Sequence, residues 1–171
     1  MRQFIAIPLP EKVKQEFSLI IEPFRGIKGV KPVRPENMHL TLLFLGDTGT
    51  GNKIEELRNI TFKSFTLKTT SVVLFPERKP RLIWIELEKS EPLLDLYNKI
   101  AGVFGVNEKL KAHITLARIK WLLPQDYRSV KEEIDRVNPV EKEFEVTCFN
   151  LYNSKLQPWG PIYRVEESFS G

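Results

Sequence analysis

Apolar positions along the chain follow two rhythms, short runs or alternations and a 3.6-residue spacing, and proline or glycine marks most of the changes between them. Phe4 to Ile7 is a short apolar run closed by Pro8 and reads as a strand; in the following EKVKQEFSLIIEPFR, Val13, Phe17, Ile20, Ile21 and Phe24 share one helix face. A basic loop, RGIKGVKPVRPEN, leads into MHLTLLFLG, a strongly apolar strand closed by Gly46. Ile54, Leu57 and Ile60 then predict a helix. FTLKTTSVVLF, rich in aromatic and β-branched residues, predicts a strand, PERKPR a turn and RLIWIELE another strand. Ser90 caps a predicted helix whose face carries Leu93, Tyr97, Ile100, Ala101 and Phe104. KAHITLARI is again a strand, Tyr127, Val130, Ile134 and Val137 mark a helix, and FEVTCFNLYNS and PIYRVEESF are strands around the turn SKLQPWG.

In this order, strand, helix, HxTL strand, helix, strand occurs twice, with HLTL at His39 to Leu42 and HITL at His113 to Leu116. The pattern predicts an internal duplication, and KPRLIWIELE after the first unit resembles GPIYRVEESF after the second. The expected architecture is α+β: one domain over residues 1–171, bilobal, its two lobes related by a pseudo-twofold axis and each carrying a mainly antiparallel sheet backed by helices. The HxTL strands would face each other across a central groove.

Composition narrows this picture without redirecting it. The 42% hydrophobic and 28% charged residues are those of a folded globular domain rather than a disordered segment. The net charge of +4 suits a polyanionic partner but does not demand one. A single cysteine, Cys148, excludes an internal disulfide, and no Cys/His cluster has zinc-ligand spacing, so the chain is expected to need no metal or cofactor and to work in a reducing, cytoplasmic compartment. MRQFIAIPLP is too short an apolar run for a signal sequence, and no stretch has the length to span a bilayer, so no membrane partner is expected.

The chemistry lies in the tetrapeptides, which contain both histidines of the chain. On a strand, a two-residue step puts His39 and Thr41 on one face and Leu40 and Leu42 on the other; His113 and Thr115 behave alike. One HxT alone is a weak motif, since a lone histidine in a strand is more often structural than catalytic. Two copies at matching places of a repeat reverse that judgement. Opposed across a groove, they offer two imidazoles, one neutral and one protonated near pH 6.5, and two hydroxyls to hold an anion. In-line displacement at phosphorus needs one proton removed from the attacking oxygen and one delivered to the leaving oxygen.

The whole chain resembles the 2H phosphoesterases, and most closely the LigT-like RNA 2',3'-cyclic phosphodiesterases, also called 2'-5' RNA ligases. The resemblance runs through MRQFIAIPLP, VRPENMHLTLLFLGD, KPRLIWIELE, HITLAR and SKLQPWGPIYRV. It implies opening of RNA 2',3'-cyclic phosphate ends, tRNA fragments among them, to 2'-phosphomonoesters without metal or cofactor, by a monomer, with ATP-independent 2'-5' ligation as the related reaction. In the roles it implies, His39 donates a proton to the leaving 3' oxygen, His113 accepts one from water, and Thr41 and Thr115 bind the phosphate. Ala112 stands where relatives often have proline. Arg118 matches a family arginine associated with substrate phosphate, yet strict alternation points it away from the His113 face, so either the strand bends or ends there or Arg118 is a solvated surface residue.

Lys28, Lys31, Arg34, Arg78, Lys79, Arg81, Lys109 and Lys111 stand in loops, where they either guide an RNA backbone or are simply solvated. Phe4, Trp84 and Tyr163 sit at roughly corresponding places in the strand pattern, as core residues or as stacking partners for a base. Two other functions fit the same residues: a nucleotide- or RNA-binding module without turnover, and an enzyme for another cyclic or 2'-5' phosphodiester. Turnover of a 2',3'-cyclic nucleotide separates the first of these from an enzyme.

Overall fold

Nine strands and four α-helices follow one another in the computed structural model, which describes residues 1–171. They are β1 (Arg2–Pro8), α1 (Glu11–Ile21), β2 (Val30–Pro32), β3 (His39–Gly46), α2 (Ile54–Arg58), β4 (Phe65–Phe75), β5 (Leu82–Leu87), α3 (Glu91–Phe104), β6 (His113–Ile119), α4 (Pro124–Val137), β7 (Glu143–Val146), β8 (Cys148–Gln157) and β9 (Gly160–Ser170). The strands pair antiparallel in the order β7-β4-β5-β6-β3-β1-β8-β9, with β2 added beside β6. The fold is α+β, a curled antiparallel sheet with its helices. No helix is long and apolar enough to cross a membrane.

Local chemistry sets the helix boundaries. α1 stops at Ile21 because Pro23 follows, and the apolar face continues through a 3-10 turn over Glu22–Phe24 that still buries Phe24 completely. The Ser90 hydroxyl accepts a hydrogen bond from the Leu93 N–H at 3.3 Å, opening α3; Gly105 ends it at a left-handed φ of 66°. Phe17 of α1, Leu96 and Ile100 of α3 and Val130 of α4 are fully buried in one core with Ile5, Ile7, Leu40, Ile83, Ile85 and Ile114 from the strands.

Three segments differ from the pattern-based expectation. The basic loop before His39 contains β2, three residues too few to show a period, which pairs with β6. FEVTCFNLYNS breaks at Thr147 into β7, which pairs with β4, and β8, which pairs with β1. SKLQPWG is mostly strand: β8 and β9 remain paired up to Gln157 and Gly160, leaving only Pro158 and Trp159 as the turn. The likeness of RLIWIELE to PIYRVEESF also does not survive as equivalent placement. β5 lies inside the sheet between β4 and β6, whereas β9 is the outermost strand, and the place β5 takes beside β6 is the one β1 takes beside β3.

The two HxTL strands adjoin at a single ladder position, Leu40 opposite Ile114. Beyond it, β2 occupies the edge of β6, with Lys31 opposite Arg118 and Pro32 opposite Ala117, and Val33 N–H donates to Leu116 O at 2.8 Å. The strands therefore part, and a groove of about 1790 Å³ opens there.

Each strand also carries an extra residue at the leucine that closes its tetrapeptide. Against β1, Thr41 pairs with Ala6 and Leu43 with Ile5, leaving Leu42 over; against β5, Thr115 pairs with Trp84 and Ala117 with Ile83, leaving Leu116 over. A bulge reverses the alternation beyond it. Leu42 and Leu43 in one strand, and Leu116 and Ala117 in the other, thus all pack into the core, and the residue five after each histidine, Phe44 or Arg118, turns toward the groove.

Candidate active site

His39, Thr41, His113 and Thr115 line this groove because Leu40 and Ile114, their neighbours on the strands, are fully buried on the other side of the sheet. Each imidazole is fixed from behind by the carbonyl two residues earlier. His39 Nδ1–H donates to Asn37 O and His113 Nδ1–H to Lys111 O, both at 2.7 Å. A carbonyl can only accept, so Nδ1 carries the proton in both rings and Nε2 is the atom that exchanges one. His39 Nε2 accepts from the Thr41 hydroxyl at 2.9 Å when the ring is neutral.

The surroundings of the two rings differ. His39 sits among aromatics: Phe4 tilted at 33° with centroids 4.9 Å apart, Tyr163 edge-on at 5.4 Å and Tyr152 at 6.2 Å. This burial pulls its pKa from 6.5 to about 4, opposed by the Asn37 carbonyl and assisted by the positive charges of Arg118, His113 and Lys14. His113 lies 4.0 Å from the indole of Trp84, which itself stacks on Phe75 at 4.0 Å. Burial lowers its pKa as well, against the pull of the Lys111 carbonyl.

Arg118 reaches the groove only because of the bulge at Leu116; unbroken alternation would have turned it into the core. Directly opposite it in the ladder stands Lys31, and neither cation is in an ion pair, an unfavourable like-charge arrangement that an anion relieves. The groove also takes in one carboxylate, Asp47, whose partner is the N-terminal ammonium at 3.5 Å. No group of three or more His, Cys, Asp or Glu side chains converges on a common point.

The aromatic candidates separate. Tyr163 lines the groove, with its ring against Phe4 and His39. Trp84, 7% exposed, has its indole between Phe75 and His113, so it supports the histidine and has no free face for a base. It is also not the counterpart of Phe4: by register Trp84 lies opposite Thr115 and Ala6 opposite Thr41, while Phe4 lies opposite Phe44. Nothing in the strand pattern singles out Phe44, yet it is 74% exposed on the groove wall at the place that Arg118 takes in the other half. Only the paired bulges could have revealed it. Asn37 was missed too. Its carbonyl holds His39, and its buried amide donates to Pro161 O at 2.9 Å, fastening the β8–β9 hairpin beside the site.

Comparisons with known proteins bear on the family and the fold. Residues 7–84 match the model of the LigT-like phosphoesterases. The chain is 35% identical to the RNA 2',3'-cyclic phosphodiesterase of Archaeoglobus fulgidus, across 96% of this chain and 97% of that one. It is 37% identical to the enzyme of the same name from Thermotoga maritima, across 96% and 92%. Among solved structures, TT0787 of Thermus thermophilus superposes with a TM-score of 0.82 at 32% identity, covering 99% of this chain and 97% of that one. Escherichia coli LigT, crystallised with 3'-AMP, shares the fold with a TM-score of 0.80 at 22% identity, over 99% and 96%.

Proposed function

The chain belongs to the LigT-like phosphoesterases, and from that premise we propose that it hydrolyses the 2',3'-cyclic phosphate ends of RNA to 2'-phosphomonoesters. The observation that carries the reading is the pair of imidazoles in one groove, each with Nδ1–H committed to a backbone carbonyl and Nε2 toward the groove, in His39 against the Thr41 hydroxyl. In this scheme His113 Nε2 takes the proton of a water whose oxygen attacks phosphorus. The P–O3' bond breaks, and His39 Nε2–H protonates the departing 3' oxygen. The Thr41 and Thr115 hydroxyls and Arg118 hold the non-bridging oxygens on the line of displacement. Phe44 offers a stacking face to the end nucleotide. Trp84 positions His113. No metal or cofactor enters the scheme.

Arg118 has a second effect. Its charge helps to keep His39 unprotonated in the empty groove, and a phosphodiester anion that satisfies Arg118 removes this repulsion. Substrate binding thereby eases the protonation of His39 that the leaving oxygen needs, against the burial that is the main cause of its low pKa. A 5'-hydroxyl in place of water in the same displacement joins two RNA ends through a 2'-5' linkage and consumes no nucleotide triphosphate. We read the two halves as copies of one repeat within a single domain. The enzyme would act as a monomer, in the cytoplasm, on RNA ends such as those of cut tRNAs.

The test is incubation with a 2',3'-cyclic mononucleotide in EDTA, with the product assigned by phosphorus NMR. The expected product is the 2'-phosphate, formed at an undiminished rate. A 3'-phosphate would contradict the leaving oxygen, and binding without ring opening would favour a non-catalytic nucleotide-binding module.

A further inference from the structure

The β8–β9 hairpin extends past the sheet. β1 accompanies β8 only as far as Ser154, so from Lys155 to Ile162 the two strands have no neighbour but each other and form a free-standing arm. Its exposed side chains are unusual for a solvent-facing arm: Leu156 is 82% exposed and Trp159, at the turn, 55%. Both line the catalytic groove. The arm is not loosely placed, because the Asn37 amide holds Pro161 O while the Asn37 carbonyl holds His39. Lys31 brings a cation beside the arm, its Nζ 3.8 Å from where a side chain on Gly160 would begin, and neither Lys31 nor Lys155 is in an ion pair. An exposed indole next to unpaired cations, on an arm fastened to a catalytic histidine, is a stacking platform with charges for a phosphate backbone.

We infer that the arm is a subsite for the nucleotide preceding the cyclic-phosphate end: Trp159 stacks on its base, Lys31 faces the phosphodiester joining it to the end nucleotide, and the RNA enters unpaired. The inference rests on the reading of the groove as a site for RNA ends. It makes the enzyme a reader of single-stranded ends rather than of isolated cyclic nucleotides. Base stacking tolerates any sequence, so the subsite selects for an unpaired base without specifying which one.

The experiment compares kcat/KM for a 2',3'-cyclic mononucleotide, a trinucleotide ending in 2',3'-cyclic phosphate, and the same trinucleotide with an abasic penultimate residue. The wild-type chain is expected to prefer the intact trinucleotide over the other two by roughly tenfold or more. Trp159→Ala should erase that preference and leave the mononucleotide rate unchanged, and Trp159→Phe should keep most of it. An equal loss on all three substrates, or no loss on any, overturns the inference. So does a dimer in sedimentation velocity that Trp159→Ala dissolves, since a second copy would then cover the indole. If the wild-type chain opens none of the substrates, the catalytic reading fails by itself. Anisotropy titration of the labelled trinucleotide then decides the subsite: tenfold weaker binding by Trp159→Ala supports it, and equal binding removes it.

Discussion

The half of the groove around His39 and the half around His113 share strand, bulge, threonine and carbonyl anchor, and they differ in what surrounds the imidazole. Three aromatic rings and the facing charge of Arg118 make His39 costly to protonate, with a pKa of about 4. His113 rests on one indole, and its lowered pKa comes from burial. At the equivalent place five residues on, the His39 half has an exposed phenyl ring and the His113 half a guanidinium. The same tetrapeptide thus carries two imidazoles that differ in how costly they are to protonate; in the proposed scheme they serve opposite proton transfers, with the apolar half facing the nucleoside and the cationic half the phosphate.

The most drastic way to break this comparison is to remove each imidazole in turn. His39→Ala and His113→Ala should each lower kcat by about 10²- to 10⁴-fold on a cyclic nucleotide. A p-nitrophenyl phosphodiester, whose leaving group needs no proton, should rescue His39→Ala and not His113→Ala. Rescue of the other variant would exchange the two roles.

Next in size is Arg118→Gln, which should raise KM and lower kcat, on the order of 10²-fold in kcat/KM, through loss of a charge-assisted bond to the phosphate. The wild-type kcat/KM profile should be a bell between about pH 4 and the lowered pKa of His113, hence with its optimum below 6.5. Because Arg118 depresses His39, its removal should move the acid limb upward. An optimum above pH 7 in the wild-type protein would discredit the pairing of these two titrations.

A smaller effect separates the supporting rings. Trp84→Leu should lower kcat by about tenfold with little change in KM, since it would loosen His113, the proposed general base, without touching the phosphate. Phe4→Leu admits water to His39 and should raise the acid limb. Identical pH profiles for both variants would mean that the rings are mere packing.

A further effect, outside catalysis, is on stability. A histidine with a folded pKa of about 4 and an unfolded value near 6.5 leaves the unfolded chain binding more protons between those limits. Its stabilising contribution is complete above 6.5, declines as pH falls through the window and is gone below 4, a change of about 3 kcal/mol. Urea denaturation of His39→Gln should show a flatter decline over that range, and an unaltered slope would place the proton uptake elsewhere.

The parts of this site governed by strand period were legible in the sequence. His39 with Thr41, and His113 with Thr115, follow from a step of two, and α3 followed from its spacing and from Ser90. Arg118 was named as a candidate but could not be placed, because alternation is a sound rule until a bulge interrupts it, and the bulge at Leu116 shows only in the register with β5. Phe44 was hidden for the same reason. β2 was hidden because three residues among Pro, Gly and Lys carry no period, and the nearness of Lys31 to Arg118 went with it. Trp84 could not be assigned from an apolar strand, since its role depends on which ring lies across the ladder.

The strand order also bears on how the candidate site comes into being. The His113 half is assembled mostly from segments close in the chain, with β4, β5 and β6 all between residues 65 and 119. The His39 half is closed by β8 against β1, pairing Arg2 with Ser154 and Ala6 with Asn150. Contacts of such long range form late and slowly. As the chain leaves the ribosome, His113 can therefore reach its final setting well before His39, whose aromatic enclosure waits for Tyr152 and Tyr163 to arrive. A nascent chain stalled before β8 would have both histidines and half an active site.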